Sequence, residues 1–214
     1  MSADRRRGVD GAAAYLPDEL TLPAMRGAVD GCRGCDLWEG TTQGVMGEGL
    51  KRAEVMFVGE QPGDREDVEG RPFVGPAGKE LDRGLEEAGI DRRLAYVTNT
   101  VKHFSFEQRG KRRIHRKPNA EQIRACRPWL EAELTVVRPR VLVALGATAA
   151  AALFGTKVRV TRDRGKLVPS ELAPVATLTI HPSAILRAPD EEIRRLERAR
   201  FAEDLRLVAA HLGG

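Results

Sequence analysis

The chain has few of the features that would place it outside a cell or in a membrane. Its 214 residues include only three cysteines, an odd number that leaves no disulfide framework and turns attention to metal ligation or buried thiols. Nowhere do about 18 uncharged apolar residues run together, and the stretch before Pro17 carries Arg5, Arg6 and Arg7 but no apolar segment. Neither a membrane span nor an export signal is expected, and the expected location is a reducing cytoplasm. No strand-like run leads into G-x-G-x-x-G or a Walker-type lysine loop, which argues against a nucleotide-cofactor enzyme. There is no internal repeat, and the net charge of +4 is too small to announce a nucleic-acid partner by itself.

What is present points to an α/β fold. Ala53 to Gly59, Leu94 to Thr98, Arg140 to Gly146 and Val175 to Ile180 are short apolar runs of strand length, each closed by polar or turn residues. Between them the spacing predicts helices near Leu22 to Val29, over Gly78 to Ala88, from Ala120 to about Val137 and over Ala147 to Phe154. A last helix follows Pro189 and Asp190, its stripe Ile193, Leu196, Phe201, Leu205 and Val208 facing one side of a sheet. Lys157 to Val168 reads as a hairpin turning at Asp163-Arg164-Gly165. Alternating strands and helices give a three-layer sandwich around a central four-stranded parallel sheet. One domain over residues 1–214 is expected, with residues 1–30 as a loosely packed arm.

In open α/β sheets ligands bind outside the carboxyl ends of the strands. Three of the expected strands end there in polar groups: Glu60 and Gln61, then Asn99, then His181. Each alone could be structural, but together they mark a site. The Asn99 amide sets a donor beside an acceptor, which matches the N3–H and O4 edge of uracil and mismatches the amino group of cytosine. Phe73 offers an aromatic face for a base turned out of its stack. From Arg109 to Lys117 the run RGKRRIHRK holds six cations and one histidine without an acid. It reads as a basic loop, either merely solvated or in contact with phosphates through Lys111, Arg112 and Arg113.

The ordered set Gly59-Glu60-Gln61-Pro62-Gly63, Gly70-Arg71-Pro72-Phe73-Val74-Gly75, Thr98-Asn99 and His181-Pro182-Ser183-Ala184-Ile185-Leu186 resembles the motifs of the family 4 uracil-DNA glycosylases, from about Cys32 to the final helix. Lys111-Arg112-Arg113-Ile114-His115, and Gln61 after Glu60, bring the chain closest to the UdgX subgroup. The resemblance implies uracil recognition by Asn99, stacking by Phe73 and stabilisation of the departing uracil anion by His181. Gly59, Gln61, His181 and Arg187 join Asn99 and Phe73 against the substrate, and the catalytic set is Glu60, Gln61, His115 and His181. It also implies covalent capture of the cleaved DNA. Cleavage leaves a cation-like sugar at C1′, which an imidazole held against that carbon would take in place of water. Glu60 would orient the His115 ring or accept its proton. Arg187 would contact phosphate or fill the gap left by the flipped base.

Cys32 and Cys35 form C-x2-C, and Cys126 lies far along the chain. The resembled family supplies four cysteines to a 4Fe-4S cluster. Here His103 stands at the third position, separated from Cys126 by 22 residues, so the implied ligands are Cys32, Cys35, His103 and Cys126. Histidine does replace cysteine on cluster iron, yet Cys3His also suits tetrahedral zinc. Three functions follow as expectations for a monomer acting on uracil-containing DNA: excision with capture through His115, excision with turnover by water, or metal-stabilised nucleic-acid binding without chemistry.

Overall fold

The computed structural model describes residues 11–212; the Arg5–Arg7 cluster of the expected arm lies outside them. In chain order the elements are α1 (Leu22–Ala28), β1 (Val55–Gly59), α2 (Asp64–Glu69), α3 (Pro76–Glu87), β2 (Ala95–Asn99), β3 (Phe106–Arg109), β4 (Arg112–His115), α4 (Ala120–Val137), β5 (Val141–Leu145), α5 (Ala147–Phe154), α6 (Val160–Asp163), β6 (Val175–Thr179), α7 (Pro182–Leu186) and α8 (Glu191–Ala209). The four strands β2-β1-β5-β6 form a parallel sheet in that order, in register from Val55↔Ala95 to Gly59↔Asn99 and from Val141↔Val175 to Leu145↔Thr179. Being covered on both faces, these strands consist of apolar runs without alternation.

The two faces separate residue by residue. Val55, Phe57, Val97 and Val143 turn towards Leu81 and Leu85 of α3 and Phe201 and Leu205 of α8. Met56, Val58, Leu142 and Ala144 turn towards Leu130 of α4 and Ala149 and Ala150 of α5. A third cluster packs Ala12, Met25, Val29, Cys32 and Leu37 against Cys126, Trp129 and Ala132 of α4. The described part of the arm therefore contributes core, contrary to the loose packing expected of it. Without periodicity in the sequence, that segment is held from outside, by the face of α4 turned away from the sheet.

Three other expectations are corrected. Lys157 to Val168 is not a hairpin: Val160–Asp163 forms a helical turn in which the Asp163 carboxylate accepts the Arg159 amide at 2.9 Å. The chain then turns at Gly165, where φ is +67°, and runs along β6, bridging only Leu167 to Thr177. Along α8 the apolar stripe packs in its second half alone. Ile193 and Leu196 are 40% and 48% exposed, because the first half is tied down by ion pairs, Arg198 to Glu80 at 2.7 Å and Arg164 to Glu197 at 2.8 Å. The basic run is likewise not a loop. It is most of an antiparallel hairpin, β3 with β4, closed by Gly110-Lys111 with Gly110 at φ +59°.

Beneath the carboxyl end of β2 lies a fully buried ion pair, Lys102 Nζ to Glu133 Oε2 at 2.6 Å. Glu133 Oε1 also accepts the Gly47 amide at 2.8 Å and the Tyr96 hydroxyl at 2.9 Å. Removing one member strands a buried charge, which costs about 3–5 kcal/mol. Glu133→Ala is therefore expected to lower the unfolding free energy by about that amount in a urea titration; a loss under about 1 kcal/mol would show that the pair is not isolated from water.

Candidate active site

The carboxyl ends of all four strands open into one cavity of about 680 Å³ lined by Glu60, Gln61, Phe73, Asn99, His115 and His181, among others. That volume lies in the range of small-molecule sites. The site begins at β1, whose last residue has no side chain. A Cβ on Gly59 would lie 2.5 Å from Asn99 Oδ1 and 2.8 Å from the Phe73 ring, so glycine lets the amide and the aromatic ring close over the strand end. Gly78 does the same one layer out, where a Cβ would overlap the Phe73 carbonyl at 1.7 Å. Phe73 itself adopts φ +57°, a left-handed conformation that side chains with a Cβ rarely adopt. Such local strain persists only where the surroundings impose it, and it gathers at ligand sites.

Asn99 closes β2 and is 2% exposed. Its Oδ1 is buried with no hydrogen-bond partner among the described residues. An unpaired buried acceptor carries a desolvation penalty of about 1–3 kcal/mol, which a donor arriving in the cavity would remove. Across the cavity the His181 ring stacks against Phe73, with centroids 6.0 Å apart and planes 28° apart. His181 Nδ1 faces the Ser183 hydroxyl at 2.8 Å and accepts the Ser183 amide at 3.2 Å. A nitrogen that accepts a backbone N–H carries no proton, so the neutral ring holds its hydrogen on Nε2. Arg187 Nη1 donates to the Ser183 hydroxyl at 2.9 Å, tying that cation into the same chain. Burial, then the charges of Arg187 and His115, push His181 down to about 4.

His115 ends β4 at the cavity mouth, its side chain 54% exposed, with Nε2 3.4 Å from Glu60 Oε1. Glu60 Oε2 accepts the Thr148 hydroxyl. Two devices hold the hairpin so that His115 meets Glu60. Gln61 donates from Nε2 to the carbonyls of Ser105 at 3.0 Å and Arg116 at 3.2 Å, and accepts the Ser105 amide on Oε1 at 3.1 Å. Its amide is thus committed to the base of the hairpin, a bracing role where the sequence suggested catalysis and substrate contact. Arg113 pairs at 2.6 Å with both Asp64 and Asp67 of α2 and lies over the Phe104 and Phe106 rings. The suggested phosphate contact therefore does not hold for Arg113, whose charge is neutralised inside the hairpin; Lys111 and Arg112 remain exposed.

Cys32, Cys35, His103 and Cys126 are brought together around one small void, the three thiols unbridged. The Lys102 amide donates to Cys126 Sγ and the Trp129 indole to Cys32 Sγ, each at 3.3 Å. Burial and the charge of Arg33 push His103 down to about 4, leaving a neutral imidazole. Among the described residues no three histidine, cysteine or acidic side chains are arranged to hold a single metal ion. No helix among them is long and apolar enough to cross a membrane.

Thr148, Asp64 and Asp67 were not singled out in the sequence, and Ser183 stood there only as a member of the motif that begins at His181. Thr148 follows β5 at the fourth strand end, so the rule that found Glu60, Asn99 and His181 also applied to it. The two aspartates had no signal, since only the fold places α2 beside the hairpin.

Fold and site together define an α/β protein whose ligand cavity sits at the carboxyl edge of a parallel sheet. The profile of the uracil DNA glycosylase superfamily matches residues 46–206, and the chain belongs to that superfamily. It is 39% identical over 183 residues to the type-4 uracil-DNA glycosylase of Thermotoga maritima, covering 85% of this chain and 91% of that one. It is 32% identical over 208 residues to the type-4 enzyme of Sulfurisphaera tokodaii, covering 91% of each. The type-5 uracil-DNA glycosylase of Pyrobaculum aerophilum is 30% identical over 212 residues, covering 90% and 87%.

The His181 assignment is open to test. Its ring resonances are expected to titrate near pH 4 in an NMR series, well below the ordinary histidine value of about 6.5. Because the unfolded chain takes up that proton first, His181 stabilises the fold above about pH 6.5. This contribution is lost as pH falls towards about 4. His181→Asn should remove that part of the pH slope of unfolding; an unchanged slope would refute the neutral, buried ring.

Proposed function

We propose that this protein excises uracil from DNA and that His115 then captures the sugar. The observation that carries the reading is the buried, unpartnered Oδ1 of Asn99, an acceptor beside the Phe73 ring. Uracil presents an N3–H at its pairing edge and completes that acceptor; cytosine presents a bare N3 and an amino group and leaves it unpaired. His181 supplies the second polar contact, an Nε2–H aimed at the oxygen on which the leaving anion gathers charge. The similarity to type-4 and type-5 glycosylases supports the same substrate.

The capture step balances without a further reactant. The C1′–N1 bond breaks, and its electron pair departs with the uracil anion. Glu60 takes the Nε2 proton of His115 and becomes a neutral acid, while the freed Nε2 pair bonds to C1′. Thr148 holds the opposite carboxylate oxygen, which leaves Oε1 turned to the ring. Lys111 and Arg112, exposed on the same hairpin, would meet phosphate.

For the metal, we infer a 4Fe-4S cluster held by Cys32, Cys35, His103 and Cys126. Support comes from the shared void and from the two N–H donors aimed at sulfur, the hydrogen bonds that surround sulfur ligands in cluster sites. The group's role here is structural: it would join the segment bearing Cys32 and Cys35 to α4 and to the loop that leads into the hairpin.

Denaturing electrophoresis after mixing the protein with a uracil-containing oligonucleotide tests the reading. A retarded protein–DNA band is expected, absent in His115→Ala. Free abasic DNA with no band would replace capture by ordinary turnover, and intact uracil would overturn the glycosylase reading. Thr148→Val should slow band formation by about tenfold or more, the worth of one hydrogen bond to a charged group, and Thr148→Ser should restore it. Elemental analysis should find iron with acid-labile sulfide; zinc instead would replace the cluster.

A further inference from the structure

A second cavity, of about 570 Å³, lies between α4 and α5 and meets the first at Lys117, Ala147 and Thr148. Its floor is apolar, built from Leu130, Leu134 and Leu153, and its rim carries Lys117, Arg124 and Arg127. Arg127 is paired with Glu131 at 2.6 Å. Lys117 and Arg124 are exposed and have no ion-pair partner among the described residues. Nothing in the capture chemistry uses this groove.

We propose that it takes the unpaired DNA strand on one side of the excised nucleotide, with bases against the leucine floor and phosphates against Lys117 and Arg124. The proposal rests on the uracil-DNA reading of the neighbouring cavity. A strand with one nucleotide in that cavity must leave it across its rim, and Lys117 belongs to both cavities. Against such a surface an unpaired strand loses water from its base faces on the leucines while its phosphates are neutralised by the free cations. In a duplex those base faces are already stacked, so the groove favours single-stranded substrate. A protein helix would have to bring its own acids to meet the two unpaired cations, since Glu131 in the groove is taken by Arg127.

The test uses the full chain and fluorescence anisotropy on single-stranded oligonucleotides carrying 2′-fluoro-deoxyuridine, which resists excision. One probe has the nucleotide at its centre, one is cut short on the 5′ side and one on the 3′ side. Arg124→Glu, an exchange on an exposed helix position, should weaken binding of the centred probe several-fold. It should also flatten the dependence of log Kd on log salt by about 0.7, the share of one single-strand phosphate. One of the two shortened probes should bind both proteins equally. Equal affinity for the centred probe would overturn the proposal and leave the groove to another partner, as would a difference that persists on both shortened probes. Uracil release from a natural short oligonucleotide, measured alongside, reports separately on the glycosylase reading.

Discussion

The Lys102–Glu133 pair is the constraint on which both ends of the site depend. Two unit charges buried completely are tolerable only if every donor and acceptor around them is met. Here Lys102 Nζ donates to Glu133, to the Thr98 hydroxyl at 2.8 Å and to the Asn99 carbonyl at 2.7 Å. Glu133 in turn gathers Thr98, Tyr96 and the Gly47 amide. The end of β2 is therefore bolted to the middle of α4, and the Asn99 backbone has little freedom to carry its side chain elsewhere. The same lysine's amide donates to Cys126 Sγ, and His103 is the next residue. One polar network thus separates the Asn99 end of the cavity from the ring of proposed metal ligands and fixes the position of each relative to the other.

At the other side of the cavity the fixing is done from outside. A two-stranded hairpin is marginal on its own in water, and β3 and β4 have little buried surface. What holds His115 is the Gln61 clasp at the base and the Arg113 bridge to α2. Within the run of six cations the central arginine is thus a structural rivet, stacked on two phenylalanines and neutralised by two aspartates, while Lys111, Arg112, Arg116 and Lys117 stay exposed. The electrostatic surface is smaller than the sequence suggests, and the geometric control is greater.

Much of this was legible in the sequence, for identifiable reasons. The four sheet strands stood out because strands buried on both faces are short apolar blocks. α4 runs from Ala120 to Val137 as its spacing predicted, its start marked by Asn119 and Gln122, which cap each other at 2.8 Å. The rule that ligands gather at strand ends found Glu60, Asn99 and His181 together. The hairpin was not legible because its strands are exposed on both faces and carry no period-two apolar signal. Nor was the buried pair: Lys102 and Glu133 are ordinary charged letters until the fold removes both from water. The bracing contacts of Gln61 were not legible either, since an amide beside a strand end is equally suited to substrate and to the neighbouring backbone.

The two histidines of the site show how one cavity can meet two proton demands. His181, under Phe73 and anchored by the Ser183 amide, is neutral because burial penalises its cation, and its single hydrogen is held on the nitrogen that faces the cavity. A neutral donor can stabilise a leaving anion without first giving up a proton that the anion would compete for. His115, at the half-exposed mouth, faces the Glu60 carboxylate, which in the proposed capture receives its proton as its lone pair is used. In the proposed reaction, opposite placements of two like groups set opposite roles. Depth in the cavity makes that difference, and the left-handed Phe73 and the missing side chain at Gly59 shape the deep end at which His181 stacks.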